Sequence, residues 1–261
     1  MGIQISTNKL LVRFRSTGSA RLRLFCFPYA GGSASAFRSW PESVPEHIEV
    51  YAVQLPGRGH LWKEAAYTRW DELVGALAEL CVPYLDRPFA FFGYSFGALV
   101  GFELARLLSR QYQLSPCHLF AASCQAPQLV RSDAAIHHLP DHAFVEGLRH
   151  FKGIPEHILQ DASMMEFLLP ALRADFMLYE TYGYVPGPPL ACALSAYGGL
   201  EDALIRLSAL TCWQYMTGDA FTLRMFPGDH FFLRSAHGVL LHAVVEELAR
   251  SLDKQAPAKS L

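Results

Sequence analysis

The residues best suited to chemistry lie between Phe89 and Arg106, in FAFFGYSFGALVGFELAR. An apolar run that reads as a strand passes through Gly93-Tyr94-Ser95-Phe96-Gly97 straight into a helical pattern. A serine between two glycines at a sharp strand–helix turn is the arrangement that holds a nucleophilic hydroxyl at a sheet edge. The glycines relieve crowding around a strained backbone. The helix that follows aims its first N–H groups at developing negative charge. Ser95 is the candidate nucleophile.

A serine hydroxyl needs a base, and the base needs an acid to orient it. For a serine on such a turn the chain order is Ser, then Asp or Glu, then His. Of the 11 histidines, His230 stands in Phe226-Pro227-Gly228-Asp229-His230-Phe231-Phe232, after the last strand-like run and before the final helix. It is the candidate base. His237 and His242 lie in or beside that helix. His137, His138, His142, His150 and His157 fall in a helical stretch without HExxH or another metal spacing, so no metal site is expected. The acid should follow a strand between Ser95 and His230. The run Leu190 to Tyr197 leads into Gly198-Gly199-Leu200-Glu201-Asp202, which makes Asp202 the candidate and Glu201 its neighbouring competitor. The other place for an acid, after Cys117 to Ala122, reads Ser123-Cys124-Gln125, with no carboxylate before Asp133.

On the other side of the nucleophile, the small-residue loop FPYAGGSA (Phe27 to Ala34) leaves a strand edge. The expected oxyanion donors are the N–H groups of Phe96, next after the nucleophile, and Ala30 in this loop. The loop lacks the Gly-Lys-Ser/Thr of a P-loop and the third glycine of a dinucleotide fingerprint.

These residues need elements to position them. Strands are expected at Leu22 to Phe27, Val50 to Leu55, Phe89 to Phe92, Cys117 to Ala122, Leu190 to Tyr197 and Phe221 to Phe226. Helices are expected at Trp70 to Leu85, Phe96 to Gln111 and Ala236 to Leu252. Continuous apolar runs suit parallel strands buried on both faces. Their alternation with helices points to an α/β fold with a mostly parallel sheet and helices on both faces. One region breaks the alternation. From about 127 to 185 the pattern is helical throughout, as in AFVEGLRHF (Ala143 to Phe151) and MMEFLLPALRADFMLYETY (Met164 to Tyr182), and reads as a lid. Leu168, Leu169, Leu172, Phe176 and Tyr179 recur at three- and four-residue spacing, and this stripe is expected to roof a chamber, with Leu172 and Phe176 as substrate contacts. The rest reads as one domain over 1–261, with a disordered tail from about Asp253.

The chain has 261 residues, of which 51% are hydrophobic, enough for a sizeable core. Lys and Arg number 22 against 24 for Asp and Glu, a net charge of -2, which gives no long-range attraction to nucleic acid or an anionic membrane. No apolar run is long enough to span a bilayer, and the N-terminus lacks a signal-peptide pattern. A cytoplasmic monomer is expected. The six cysteines form no CxxC pair and read as reduced, structural residues.

With these residues in view, the chain resembles the type II (external, editing) thioesterases of polyketide and nonribosomal peptide synthesis, in the α/β-hydrolase superfamily. The likeness runs from about Leu22 to Leu252. It rests on FPYAGGSA, LPGRG (Leu55 to Gly59), FFGYSFGA (Phe91 to Ala98), LPALRADF (Leu169 to Phe176) and FPGDHFFL (Phe226 to Leu233). Three positions depart from the usual pattern: Tyr94 where the family has His, Tyr29 before Ala30-Gly31-Gly32 where it has His, and Ala203 after Asp202 where it has Pro. The resemblance implies an α/β-hydrolase fold with a helical lid. It also implies hydrolysis of acyl thioesters on the phosphopantetheine arm of an acyl or peptidyl carrier protein, without a bound cofactor. The competing readings are a carboxylesterase or lipase acting on oxygen esters, an acyl-transferring or cyclising thioesterase, and a catalytically silent carrier-binding module.

Overall fold

The consecutive apolar runs form the parallel part of one sheet. The computed structural model describes residues 4–5, 9–16, 18–130 and 134–255. Among these residues the strands are β1 (Gln4–Ile5), β2 (Leu11–Arg13), β3 (Leu22–Phe27), β4 (Ile48–Val53), β5 (Phe89–Tyr94), β6 (His118–Ala122), β7 (Ala193–Gly199) and β8 (Phe221–Phe226). They lie in the order β1-β2-β4-β3-β5-β6-β7-β8. The six from β4 to β8 in that order are mutually parallel, and β2 and β1 add an antiparallel edge. The helices are α1 (Trp40–Ser43), α2 (Trp70–Cys81), α3 (Phe96–Tyr112), α4 (Asp141–Phe151), α5 (Glu156–Leu159), α6 (Ala162–Glu180), α7 (Leu207–Thr211), α8 (Phe232–Ser235) and α9 (His237–Gln255).

Every residue of β5 is buried, because its two faces feed separate cores. Phe89 and Phe91 join Phe25 and Phe27 beneath α2 and α3 on one face. Phe92 and Tyr94 join Leu24, Cys26, Phe120 and the apolar side of α9 on the other. The parallel register then aligns the strand ends: Gly93 lies beside Phe27, Tyr94 beside Ala122, Ala122 beside Tyr197, and Gly199 beside Phe226. The loops after β3, β5, β6, β7 and β8 therefore open side by side. From β3 the chain moves outward to β4, and from β5 it moves the opposite way to β6. That reversal leaves a crevice at the carboxyl ends of β3 and β5.

The antiparallel strands β1 and β2 were not among the expected elements. β4 starts two residues before the expected Val50, because Glu49, which reads as polar, is buried against Arg13 and Arg23 at 3.2 and 3.3 Å. α2 stops at Cys81 and tightens into a single turn over Val82–Tyr84, where Pro83 lacks the N–H to continue the helix. The expected tail begins too early: α9 runs through Gln255, and Lys254 reaches Asp219 at 3.2 Å. Residues 256–261 of that tail lie outside the described residues. The helical stretch between β6 and β7 is present as α4, α5 and α6. All six cysteines are unbonded, and five of them are buried.

A serine–histidine contact sits inside the sheet. On β6, His118 lies with Nε2 2.9 Å from Ser195 Oγ of β7 and Nδ1 3.0 Å from Ser251 Oγ of α9. Burial pushes its imidazole from 6.5 down to about 3. The folded chain thus keeps this ring neutral while the unfolded chain takes up a proton below 6.5. Stability is present above that pH and is lost as pH falls toward 3, by about 1.4 kcal/mol per pH unit. Urea unfolding at pH 7 and pH 4.5 should show a loss smaller by about 2–3 kcal/mol in His118→Gln than in the wild type. An identical loss in both proteins would show that His118 is not the titrating group.

Candidate active site

Ser95 occupies the elbow between β5 and α3 with φ 53° and ψ -119°, a conformation that L residues rarely adopt. The flanking glycines are required by contact. A Cβ on Gly93 would lie 2.3 Å from the Gly97 carbonyl oxygen, and one on Gly97 would lie 2.2 Å from the Phe27 carbonyl oxygen. The turn is anchored by Ser95 N–H donating to Ala122 O at 2.7 Å.

Two further loops complete a hydrogen-bonded file from this hydroxyl. His230, after β8, places Nε2 3.3 Å from Ser95 Oγ and Nδ1 2.9 Å from Asp202 Oδ2, after β7. The Asp202 carboxylate is 1% exposed, and its other oxygen accepts the N–H groups of Leu204 and Ile205 at 2.8 and 3.1 Å. Those two bonds hold the Asp202 loop with Ala203 where the resemblance has proline. Glu201 is exposed, and its backbone N–H donates to Gly228 O at 3.0 Å. β7 extends beyond the expected Tyr197 through Gly198 and Gly199. Gly199 has no room for a side chain, because a Cβ would lie 2.3 Å from Asp229 O in the His230 loop. The loops that carry Asp202 and His230 are thus packed backbone to backbone.

Tyr94 takes part in a way its sequence position did not suggest. Its hydroxyl donates to the carbonyl oxygen of His230 at 2.5 Å, and Ser123 Oγ lies 2.9 Å from the same oxygen. Leu233 N–H donates to the Tyr94 hydroxyl at 3.2 Å. Burial pushes this phenol up, so it stays a neutral donor. Together the two side chains pin the backbone that carries the imidazole. A polar residue in an otherwise apolar strand was the signal available for Tyr94; Ser123, at φ 48° just past β6, gave none.

Ala30 and Phe96 flank the serine. Two hollows of about 50 Å³ each meet at Ser95 and Ala30. The first is walled by Leu148 and Phe151 of α4 and by Leu172 and Phe176 of α6. The second is walled by Phe96, Gln125, Tyr179 and Ile205. A groove of about 250 Å³ continues outward past Tyr29, Leu168 and Arg234. Of the apolar stripe, Leu172, Phe176 and Tyr179 therefore line the hollows at the serine. Leu168 and Leu169 pack against the small core of α4, α5 and α6, to which Leu172 and Phe176 also belong and where Phe176 meets Phe144 and Phe151 edge-on at 5.6 and 5.0 Å.

A mostly parallel sheet with a strained serine elbow, helices on both faces and a helical insertion over the strand ends defines an α/β-hydrolase. The chain belongs to the thioesterase family: the family model described as a thioesterase domain matches residues 22–254. It is 43% identical over 250 residues to a Brevibacillus parabrevis protein named linear gramicidin dehydrogenase LgrE, covering 95% of each chain. It is 42% identical to the gramicidin S biosynthesis protein GrsT of Aneurinibacillus migulanus, covering 92% of this chain and 94% of that one. Among solved structures, the type II thioesterase BorB from the borrelidin biosynthetic cluster superposes with a TM-score of 0.84 at 32% identity, over 92% of this chain and 97% of that one. The word dehydrogenase in the first name has no counterpart in this chain's glycine loop, which lacks the dinucleotide fingerprint.

Proposed function

We propose that this protein hydrolyses acyl groups from the phosphopantetheine thiol of acyl or peptidyl carrier proteins, clearing or releasing chains in polyketide or nonribosomal peptide synthesis. It would act as a cytoplasmic, single-domain monomer. The observation that carries the mechanism is the hydrogen-bonded file of Ser95, His230 and Asp202 opening into apolar hollows. Membership of the thioesterase family and relatives named for gramicidin S and borrelidin biosynthesis support the substrate class. Among the described residues no helix is long and apolar enough to cross a membrane.

Asp202 accepts the Nδ1–H of His230, which leaves the Nε2 lone pair facing Ser95. Ser95 Oγ attacks the thioester carbonyl carbon while Nε2 takes the hydroxyl proton. The oxyanion of the tetrahedral intermediate receives the N–H groups of Phe96 and Ala30. Collapse breaks the carbon–sulfur bond, and His230 returns the proton to the departing pantetheine sulfur. Water then attacks the acyl-enzyme by the same route, giving the carboxylic acid and restoring Ser95. The phosphopantetheine belongs to the substrate.

The test is to incubate the protein with a panel of acylated carrier proteins and follow loss of the acyl mass, beside simple oxygen esters of the same acyl groups. Faster hydrolysis of the carrier thioesters is expected. Hydrolysis of the esters alone would replace this reading with the esterase one.

Selectivity follows from the walls. An apolar pocket discriminates chains differing by one methylene by only about 1–3 kcal/mol, so acceptance should be broad. Because Phe176 fills space beside Ser95, Phe176→Leu should shift the preferred acyl group toward longer or bulkier chains, by about tenfold in relative kcat/KM. The same variant loses ring contacts to Phe144 and Phe151 and should melt a few degrees lower. A lower melting temperature with an unchanged chain-length profile would make Phe176 a core residue only.

A further inference from the structure

The segments LPGRG and LPALRADF meet in space. Arg58, in the loop after β4, turns its guanidinium onto the carboxylate of Asp175 on α6; Nη1 contacts Oδ2, and Nη2 lies 2.8 Å from Oδ1. The two side chains are 5% and 2% exposed. Both also grip the loop after β3. Asp175 Oδ2 accepts the N–H of Gly31 at 2.7 Å, and Arg58 Nη1 donates to the carbonyl of Gly32 at 3.3 Å. Gln54 closes the circuit: its Nε2 donates to Arg58 O at 3.1 Å, and its Oε1 accepts Ala34 N–H at 3.1 Å. Gly31, at φ +73°, fits directly beneath α6, where a Cβ would lie 2.3 Å from Leu172 Cδ2.

These bonds fix the peptides that follow Ala30, which lines both hollows at Ser95. A buried ion pair is a poor source of net stability, since desolvation offsets the attraction, whereas a two-pronged Arg–carboxylate pair fixes direction. We propose that Arg58 and Asp175 are positioning residues for the reaction: they hold the Tyr29–Gly32 loop so that the Ala30 N–H meets the oxyanion, and they tie that donor to α6. The inference rests on the acyl-enzyme reading above. It also makes α6 the fixed wall of the chamber, so room for a substrate has to come from the α4 side, where Leu148 and Phe151 complete the first hollow.

The test compares wild type with Asp175→Asn, Arg58→Lys and the double variant Arg58→Met with Asp175→Leu, which removes both buried charges. Each is assayed well below its own melting temperature, with an acyl-pantetheine thioester and with the nitrophenyl ester of the same acid. Displacement of one oxyanion donor should lower kcat about 10- to 100-fold on both substrates, with KM changed less than about threefold. The rate at which a phosphonate labels Ser95 should fall in parallel. Arg58→Lys, which keeps the charge without the fork, should lie between wild type and the double variant. Wild-type kcat in a folded double variant, or a loss confined to melting temperature, overturns the proposal. If Asp175→Asn does not fold, the other two variants decide. A wild type that cleaves only the ester overturns the thioester reading, while the effect of the pair is still read on the ester.

Discussion

Ser95→Ala is expected to lower kcat on an acyl thioester by about 10⁶-fold, leaving the residual acceleration that binding and oxyanion donors give without a nucleophile. The substitution removes only the oxygen that lies 3.3 Å from His230 Nε2. It leaves the elbow intact, because the φ of 53° is imposed by the close approach of Gly93 to Gly97 and of Gly97 to Phe27, and alanine bears the same constraint as serine. Melting temperature should therefore stay within a few degrees of wild type, and loss of activity cannot be assigned to loss of fold. A serine-directed phosphonate should add once to the wild type, at Ser95, and not to the variant. Near-normal turnover by Ser95→Ala, or a label elsewhere in the wild type, would remove the covalent mechanism altogether.

Ser95 and His230, which meet at 3.3 Å, were legible as candidates because each belongs to a local pattern: a serine between required glycines at a strand–helix junction, and a histidine between the last strand and the last helix. The position of the sheet was legible for a related reason. A strand buried on both faces carries an unbroken apolar run, as β5 does; β3 and the half-buried edge strand β8 also begin at the expected Leu22 and Phe221. What stayed hidden depends on contacts between distant segments. Arg58 and Asp175 are separated by 117 residues, and neither residue type announces a buried partner. Gly198 and Gly199 read as the end of a strand, yet they extend β7 by pairing with Met225 and Phe226 of β8, and at Gly199 the backbone of the His230 loop comes too close for a side chain. Glu49 reads as a surface residue until two arginines from neighbouring strands neutralise it. Tyr94 was visible as a polar residue in an apolar strand and as a departure from the resembling family. Its work is done through a hydroxyl that meets a carbonyl 136 residues away.

The choice between Glu201 and Asp202 shows the same limit, since two adjacent carboxylates are indistinguishable by spacing, and it yields the second large effect. Asp202 lies 2.9 Å from His230 Nδ1 and is turned inward by the N–H groups of Leu204 and Ile205. In Asp202→Asn the amide oxygen can keep those two N–H groups, which presents the amide nitrogen to His230. A donor there favours the tautomer with the proton on Nε2, and an imidazole protonated on that nitrogen cannot accept the proton of Ser95. The expected loss in kcat is about 10³- to 10⁴-fold, with the fold retained. Glu201→Gln alters an exposed side chain whose residue is held through its backbone, and it should cost less than about threefold, within the range of a surface change. Steady-state kinetics of the two variants on one thioester decide the matter. The reverse ranking would move the acid to Glu201 and would mean that the Asp202 loop rearranges when substrate binds, leaving the roles of Ser95 and His230 as they stand.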